Sequence, residues 1–195
     1  MIKAILEYFN KLWYSIFRIG GCMKMNGRFK AIDFANWFLW YNKVQRLQFS
    51  EDKDDVYEGL THLKVQKLLY FADGVNLAIN NEPLFKEKIY AWPHGPVVKD
   101  VYEKFSKYGR NEIEFDSSNY EQIKKINVQP DLYSLLVMVY DSYAGYTAWQ
   151  LREKSHVAGG PWQVTVDTKG MQKEISVDVI RKYFQDNVVI KENGQ

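Results

Sequence analysis

The segment LTHLKVQKLLYFADGVNLAINN, residues 60–81, most strongly constrains the fold of this chain. Its apolar side chains recur at alternating steps of three and four, which places them along one face of an α-helix. Asn80, Asn81 and the following Pro83 end the pattern, because proline disfavours a helical conformation in the residue before it. We therefore predict a central helix whose buried face consists of Val65, Leu68, Leu69, Ala72, Val75 and Ile79.

Several other segments repeat the helical period. The segment FKAIDFANWFLWYNKV, which begins at Phe29, is one of them. Another is predicted from Pro96 to Gly109, with proline at the first helical position, where its missing N–H costs nothing. The remaining helix starts are predicted at Pro130, at Thr147 with Gln150 as its capping-box partner, and at Ser176.

Extended structure is predicted in few places. The segment KIYAW alternates and is rich in β-forming residues, so it predicts a short strand. Residues 111–129 predict a strand, a loop and a further extended piece, and GGPWQ is expected to break the helix that Thr147 begins. Nothing alternates as a βαβ series does, which excludes a Rossmann-type sheet. The predicted fold class is mainly α-helical (α+β), a compact helical domain with a few short β-strands.

The distribution of charge limits the classes of partner. The net charge is +2, and residues 1–22 account for all of it with three basic residues against one acidic residue. The rest of the chain is neutral, so we expect no nucleic-acid partner. The single cysteine, Cys22, excludes an internal disulfide and a multi-thiolate metal site, and it suits a reducing cytoplasm. No apolar run reaches the roughly 18 residues that a membrane-spanning helix needs.

Residues 1–22 predict an amphipathic helix, an appendage joined to the rest by a linker at 23–28. Three interpretations stay open. The helix packs on its own domain, it binds a partner or a second copy, or the natural start is Met23 or Met25. A membrane surface is disfavoured because Glu7 interrupts the helix and its charge is small.

Motifs for catalysis or metal binding are absent from the sequence. There is no Gly-rich phosphate loop, no GxSxG nucleophile motif, and no CxxC or HExxH pair. The three histidines, His62, His94 and His156, lack the i, i+4 spacing of helical metal ligands. We expect no catalytic residue, no metal and no cofactor, and therefore a protein that is not an enzyme.

The motif AWPHGPVV predicts a rigid corner between a strand and the next element. Pro93 holds Trp92 extended, Gly95 permits a tight or left-handed turn, and Pro96 completes the structural turn. The role of His94 stays open. It either bonds a nearby carbonyl or carboxylate that fixes the corner, or joins Trp92 in a recognition surface.

A second motif, SHVAGGPW, repeats the order of histidine, Gly-Pro and tryptophan and ends at Trp162. Both motifs pair an aromatic residue with a stiff turn. A tryptophan in this setting belongs either to the core or to an interface hot spot.

Four blocks occur in a fixed order along the chain: LKVQKLLYFADGVNLAINNEPLF, IYAWPHGPVVKDVYEKFSKYG, TAWQLREKSHVAGGPWQV and ISVDVIRKYF. In this combination the chain resembles the SocA-like Panacea domain family, from about Phe29 to Phe184. The resemblance implies a mainly α-helical fold and an antitoxin, encoded beside a toxin that it neutralises by direct binding. It implies no catalytic residues. We assign the Panacea-like domain to residues 29–190 and a tail to 191–195.

We therefore expect a cytoplasmic antitoxin that binds a cognate toxin and can form a homo-oligomer. Two alternatives stay open: an adaptor that delivers a client to a AAA+ protease, and a phage accessory protein that binds and blocks a host defence protein. The candidate partner-binding residues are Trp13, Phe17, Trp92, His94 and Trp162.

Overall fold

The computed structural model describes residues 29–48 and 58–188. The predicted N-terminal helix (1–22), the linker (23–28) and the tail (191–195) lie outside the described residues, so these three assignments stay predictions.

The described ranges contain eight α-helices and two β-strands, joined in two places by single 3-10 turns, Ser106–Tyr108 and Ser117–Asn119. In chain order these elements are α1 (Ala31–Gln48), α2 (His62–Asn80), β1 (Ile89–Trp92), β2 (Gly95–Val98), α3 (Lys99–Phe105), α4 (Tyr120–Asn127), α5 (Pro130–Tyr143), α6 (Ala148–Ser155), α7 (Pro161–Lys169) and α8 (Val177–Asn187). The predicted fold class, mainly α-helical with short β-strands, is confirmed. None of the described helices combines the length and the hydropathy needed to cross a bilayer.

The central helix is α2, as the sequence predicts. It packs most extensively against α8, and also against α1, α5, α6 and β2. All fourteen residues from Lys64 to Leu77 are buried, because neighbouring elements cover the helix on every side. The predicted apolar positions lie in this core, with Ile79 partly buried at its edge.

Buried polar side chains of α2 fasten the rest of the chain to it. The Gln66 amide donates to the carbonyl of Val98 at 3.2 Å and accepts from the Val98 N–H at 2.8 Å. Further along the helix, the Asp73 carboxylate accepts from the Leu84 N–H at 2.7 Å. Burying a polar group is costly unless it is paired, so these bonds position β2 and the loop before β1.

The two strands form an antiparallel hairpin, with Ile89 opposite Val98 and Trp92 opposite Gly95. The predicted strand in KIYAW is confirmed. The other edge of β1 is paired as well, because the Ala91 N–H donates to the carbonyl of Lys173 at 2.9 Å and the Gln172 N–H donates to that of Ala91 at 2.7 Å. The hairpin is therefore held on both sides.

The prediction that Pro96 begins a helix is wrong. Pro96 lies in β2, opposite Ala91, and α3 begins at Lys99. A proline φ near −65° suits both the first turn of a helix and a strand that needs no N–H at that position, so the local signal did not decide. The two hydrogen bonds of Gln66 to Val98 hold the segment extended.

The extended structure predicted across residues 111–129 is also wrong. The strand pairing found in this segment is a single isolated bridge between Glu112 and Thr61. The helix α4 spans Tyr120–Asn127. The helix α4 has just two buried apolar residues, Ile123 and Ile126, and so short a pattern does not distinguish helix from strand.

The helix boundaries around the GGPW segment differ from the predicted ones. The helix α6 already ends at Ser155, before this segment, and Pro161 lies in the first turn of α7. The capping box of Thr147 and Gln150 is confirmed, with hydrogen bonds of 3.2 and 2.9 Å. Ser176 stands at the N-cap of α8 as predicted, but its side chain makes no capping hydrogen bond.

Candidate partner-binding cleft

The β1–β2 hairpin turns at Pro93 and His94, both of which are exposed. Gly95 follows with φ +105°, a conformation that favours glycine. A Cβ at Gly95 would lie 2.5 Å from Lys67 Nζ and 2.8 Å from Ser155 Oγ, so the hairpin backbone is packed directly against α2 and α6. The predicted turn at Pro93 and Gly95 therefore also packs closely against α2 and α6.

The two motifs that resemble each other in sequence contact each other in space. The Trp162 Nε1–H donates to the carbonyl of Trp92 at 2.8 Å. The ring of His156 lies 3.8 Å from that of Trp162, and its Nδ1 lies 2.7 Å from the carbonyl oxygen of Arg152. Trp162 and His156 therefore support the hairpin from behind, next to its turn.

The front of the hairpin borders a cleft of about 620 Å³, within the range of ligand-binding pockets. The start of α2, the hairpin, α3 and α6 form its walls. Its lining residues are Thr61, His62, Leu63, Gln66, Trp92, Pro93, His94, Val97, Tyr102, Gly109, Arg110, Ala148, Trp149 and Arg152. We call this the hairpin cleft.

Aromatic rings form much of the wall of the hairpin cleft. Tyr102 packs against Trp92 at a centroid distance of 4.9 Å and against His62 at 5.5 Å. At the rim Trp149 is 62% exposed, with the guanidinium carbon of Arg152 at 4.7 Å from its ring. A large aromatic side chain that is exposed beside a cationic group is typical of a binding surface.

Three buried nitrogen atoms in the cleft wall have no hydrogen-bond partner among the described residues. They are Nδ1 of His62, Nε1 of Trp92 and Nε of Arg152. An unpaired buried polar atom costs about 1–3 kcal/mol.

The charged side chains that line the cleft are basic. None of the described lining residues is an aspartate or glutamate, whereas His62, His94, Arg110 and Arg152 all line it. Burial lowers the pKa of His62, and the charges of Lys67 and His94 lower it further. The positive charges of Arg110 and Arg152 favour an anion in the cleft.

Behind the hairpin, Lys67 is fully buried and donates to the carbonyl of Pro96 at 2.9 Å. Burial lowers the pKa of Lys67 to about 7, with a smaller contribution from the charge of Arg152. In the folded chain the Lys67 amine therefore loses its proton near neutral pH.

Substituting Lys67 with methionine should flatten the pH dependence of stability above neutrality. Between about pH 7 and the ordinary lysine value of 10.5, the unfolded chain holds the Lys67 proton and the folded chain does not. The free energy of unfolding of the wild type should therefore rise by up to about 1.4 kcal/mol per pH unit in this window. Urea unfolding at pH 7.5 and at pH 9.5 measures the difference between the two proteins.

The matched control for this experiment is Lys88→Met. The Lys88 amine is exposed and pairs with Glu174 at 2.6 Å, which raises its pKa above the ordinary value. Its proton is therefore bound in both states at these pH values, and the variant should keep the slope of the wild type. Equal slopes for Lys67→Met and the wild type would show that Lys67 stays protonated in the folded chain.

The structure brings some of the predicted partner-binding residues together. Trp92 and His94 both line the hairpin cleft, while Trp162 is buried behind it. No hydrogen bond to the His94 side chain is found within the described ranges, and the corner is held by Pro93 and by the packing of Gly95. Trp13 and Phe17 lie outside the described residues.

Sequence reasoning missed Trp149 and Arg152. They lie at i and i+3 on α6, next to each other on its surface. The signal was present in the helix AWQLREKS, a mostly polar segment that contains a tryptophan and in which only Leu151 and Ser155 are buried. Within the described part of the chain, no group of three His, Cys, Asp or Glu side chains could hold a metal ion.

Residues 65–163 match the family model described as antitoxin SocA-like, Panacea domain. The chain belongs to this Panacea family. The matched region holds the central helix, the hairpin and most of the cleft lining. A curated relative, antitoxin SocA of Caulobacter vibrioides (strain NA1000 / CB15N), is 29% identical over 133 residues, which cover 65% of this chain and 71% of the relative. No solved structure matches the chain.

Membership in the Panacea family confirms the resemblance drawn from the four sequence blocks and supports the antitoxin class. The assignment of the domain to residues 29–190 is wider than the matched region and stays a prediction. The helix α1, which precedes the match, nevertheless packs on α2 in the same core.

Proposed function

We propose that this Panacea protein is an antitoxin that neutralises a toxin by covering it through direct protein–protein contact, with no chemical turnover. The observation that carries the proposal is the hairpin cleft, an aromatic and cationic surface within the region that the family shares. The expected partner is the protein encoded beside it, in the cytoplasm.

The exposed Trp149 gives the contact surface its centre. Interface hot spots are enriched in tryptophan and arginine, and they lie where a partner excludes water from a large ring. Trp149 and the neighbouring Arg152 supply both residue types on one face of α6. The adjoining hairpin tip, Pro93 and His94, extends this face.

Co-expression with the neighbouring gene tests the proposal. The neighbour alone should stop growth, and growth should return when the Panacea protein is present. Immunoblots of the neighbour then separate two mechanisms. A constant level with lost activity indicates sequestration, whereas a falling level indicates delivery to a AAA+ protease. A neighbour that is harmless alone, or that stays toxic beside this protein, argues against an antitoxin.

Truncating Trp149 to alanine should abolish neutralisation while leaving the fold intact. The side chain is mostly exposed, so the free energy of unfolding should change by no more than about 0.5 kcal/mol. Affinity for the toxin should fall at least about thirtyfold, as expected for a hot-spot tryptophan. Isothermal titration calorimetry and thermal unfolding measure the two effects.

Val128→Ala is the matched control, because Val128 is 76% exposed and does not line the hairpin cleft. It should change neither affinity nor stability. If Trp149→Ala binds the toxin as tightly as Val128→Ala does, the cleft face is not the contact surface.

A further inference from the structure

The hairpin cleft has a charge pattern that selects among protein partners. Its described lining residues include two arginines, Arg110 and Arg152, and no carboxylate. Opposite charges that are removed from water attract strongly, so this cleft favours an anionic group and disfavours a basic one.

The wall of the cleft is supplied with hydrogen-bond donors and lacks charged acceptors. Indole and guanidinium nitrogens donate only, and the Trp92 and Arg152 side chains each retain one such nitrogen without a partner among the described residues. Carboxylates accept several hydrogen bonds at once and bind guanidinium groups in a bidentate geometry. The donor set of the cleft therefore fits a carboxylate.

Among the described residues, Glu153 is the carboxylate that pairs with Arg152, and it is a weak competitor for a partner's carboxylate. The Oε1 of Glu153 lies 2.7 Å from the Arg152 Nη1, but the two residues are adjacent in the chain and the Glu153 side chain is 58% exposed. Exposed ion pairs of this kind contribute little. A partner carboxylate that excludes water from Arg152 can replace it.

The rim of the cleft favours a polypeptide over a small molecule as its ligand. The 620 Å³ cleft opens beside Trp149, whose ring is mostly exposed, and beside the exposed hairpin tip. A small anion would fill the cleft and leave this aromatic surface in water. A peptide segment covers both, since its acidic side chain can enter the cleft while a neighbouring apolar side chain lies on Trp149.

We propose that the hairpin cleft binds an acidic peptide segment of the partner, in which an aspartate or glutamate enters beside Arg152 and an adjacent apolar residue packs on Trp149. This inference rests on the proposed function, because it names the chemistry by which the toxin is recognised. A toxin that this antitoxin neutralises should carry such a segment on its surface.

A library of random heptapeptides displayed on phage and selected on the full-length protein tests the inference without the toxin. The recovered peptides should carry an aspartate or glutamate next to an apolar residue. Synthetic copies should bind at least tenfold more tightly than copies in which each carboxylate is replaced by its amide. Arg152→Gln should weaken binding at least tenfold.

Arg181→Gln provides the matched control. Arg181 also pairs with a nearby carboxylate, Asp178, its side chain is 26% exposed against 23% for Arg152, and it also has a buried Nε without a described partner. Because it lies on α8, away from the cleft lining, its substitution should change peptide affinity by less than twofold. Circular dichroism verifies that both variants fold, and Arg110→Gln replaces Arg152→Gln if the latter does not.

Three results would overturn the inference: no peptide recovered, recovered peptides without acidic enrichment, or equal binding to Arg152→Gln and Arg181→Gln. Each leaves the proposed function standing if the wild type still neutralises its toxin. Conversely, peptides that behave as expected beside a toxin that is not neutralised would contradict the proposed function and leave the chemistry of the cleft intact.

Discussion

Replacing Gly95 with alanine should lower the free energy of unfolding by about 3 kcal/mol. The residue has φ +105°, and an added Cβ would lie 2.5, 2.8 and 2.9 Å from atoms of Lys67, Ser155 and His156. Lys67 has a flexible side chain, but it is fully buried and bonded to Pro96, so it has little room to retreat. Urea unfolding followed by tryptophan fluorescence measures the loss.

Gly159→Ala separates the two causes of this loss. Gly159 also has positive φ, +73°, but a Cβ there would meet no atom within 4 Å. Its substitution should cost only the backbone strain, about 1 kcal/mol. Similar losses for the two variants would mean that the hairpin does not press on α2 and α6 as described. The larger loss at Gly95 should be accompanied by loss of toxin binding, because the hairpin forms one wall of the cleft.

Gly74→Ala should destabilise the protein by about 2–4 kcal/mol, although alanine is the better helix former by about 1 kcal/mol. Gly74 lies in α2 against Phe184 of α8. An added Cβ would lie 2.4 Å from two ring atoms of Phe184, which is itself fully buried. The ring also packs against Tyr70 at a centroid distance of 5.5 Å, so it cannot move aside easily.

A double-mutant cycle with Phe184→Leu tests this explanation. The smaller side chain alone should lose about 1–2 kcal/mol of stability, because it leaves a cavity. Combined with Gly74→Ala it should lose less than the sum of the single changes, since the new methyl group fills that cavity. Additive losses, or a Gly74→Ala variant more stable than the wild type, would show that α2 and α8 lie further apart than described.

The candidate site was predicted from the sequence only in part. The two prolines and the glycine around His94 indicated a stiff turn, and Trp92 was recognised as part of it. The contact between this turn and Trp162 was not foreseen, because similar local motifs carry no information about distance in space. Trp149 and Arg152 were missed because α6 is too short for a periodic pattern, and the polar composition around its tryptophan was not used as a cue to exposure.

The sequence by itself determined the elements whose signals are local: the long apolar repeat of α2, the capping box of α6 and the strand that precedes Pro93. Their causes lie within one or two helical turns or within neighbouring residues, so short segments encode them. Tertiary structure alone decided that Pro96 lies in a strand, because Gln66 on another element fixes it there. Tertiary structure also decided that Lys67 is buried. Neighbouring elements cover α2 on every side, so its polar face is buried as well as its apolar face.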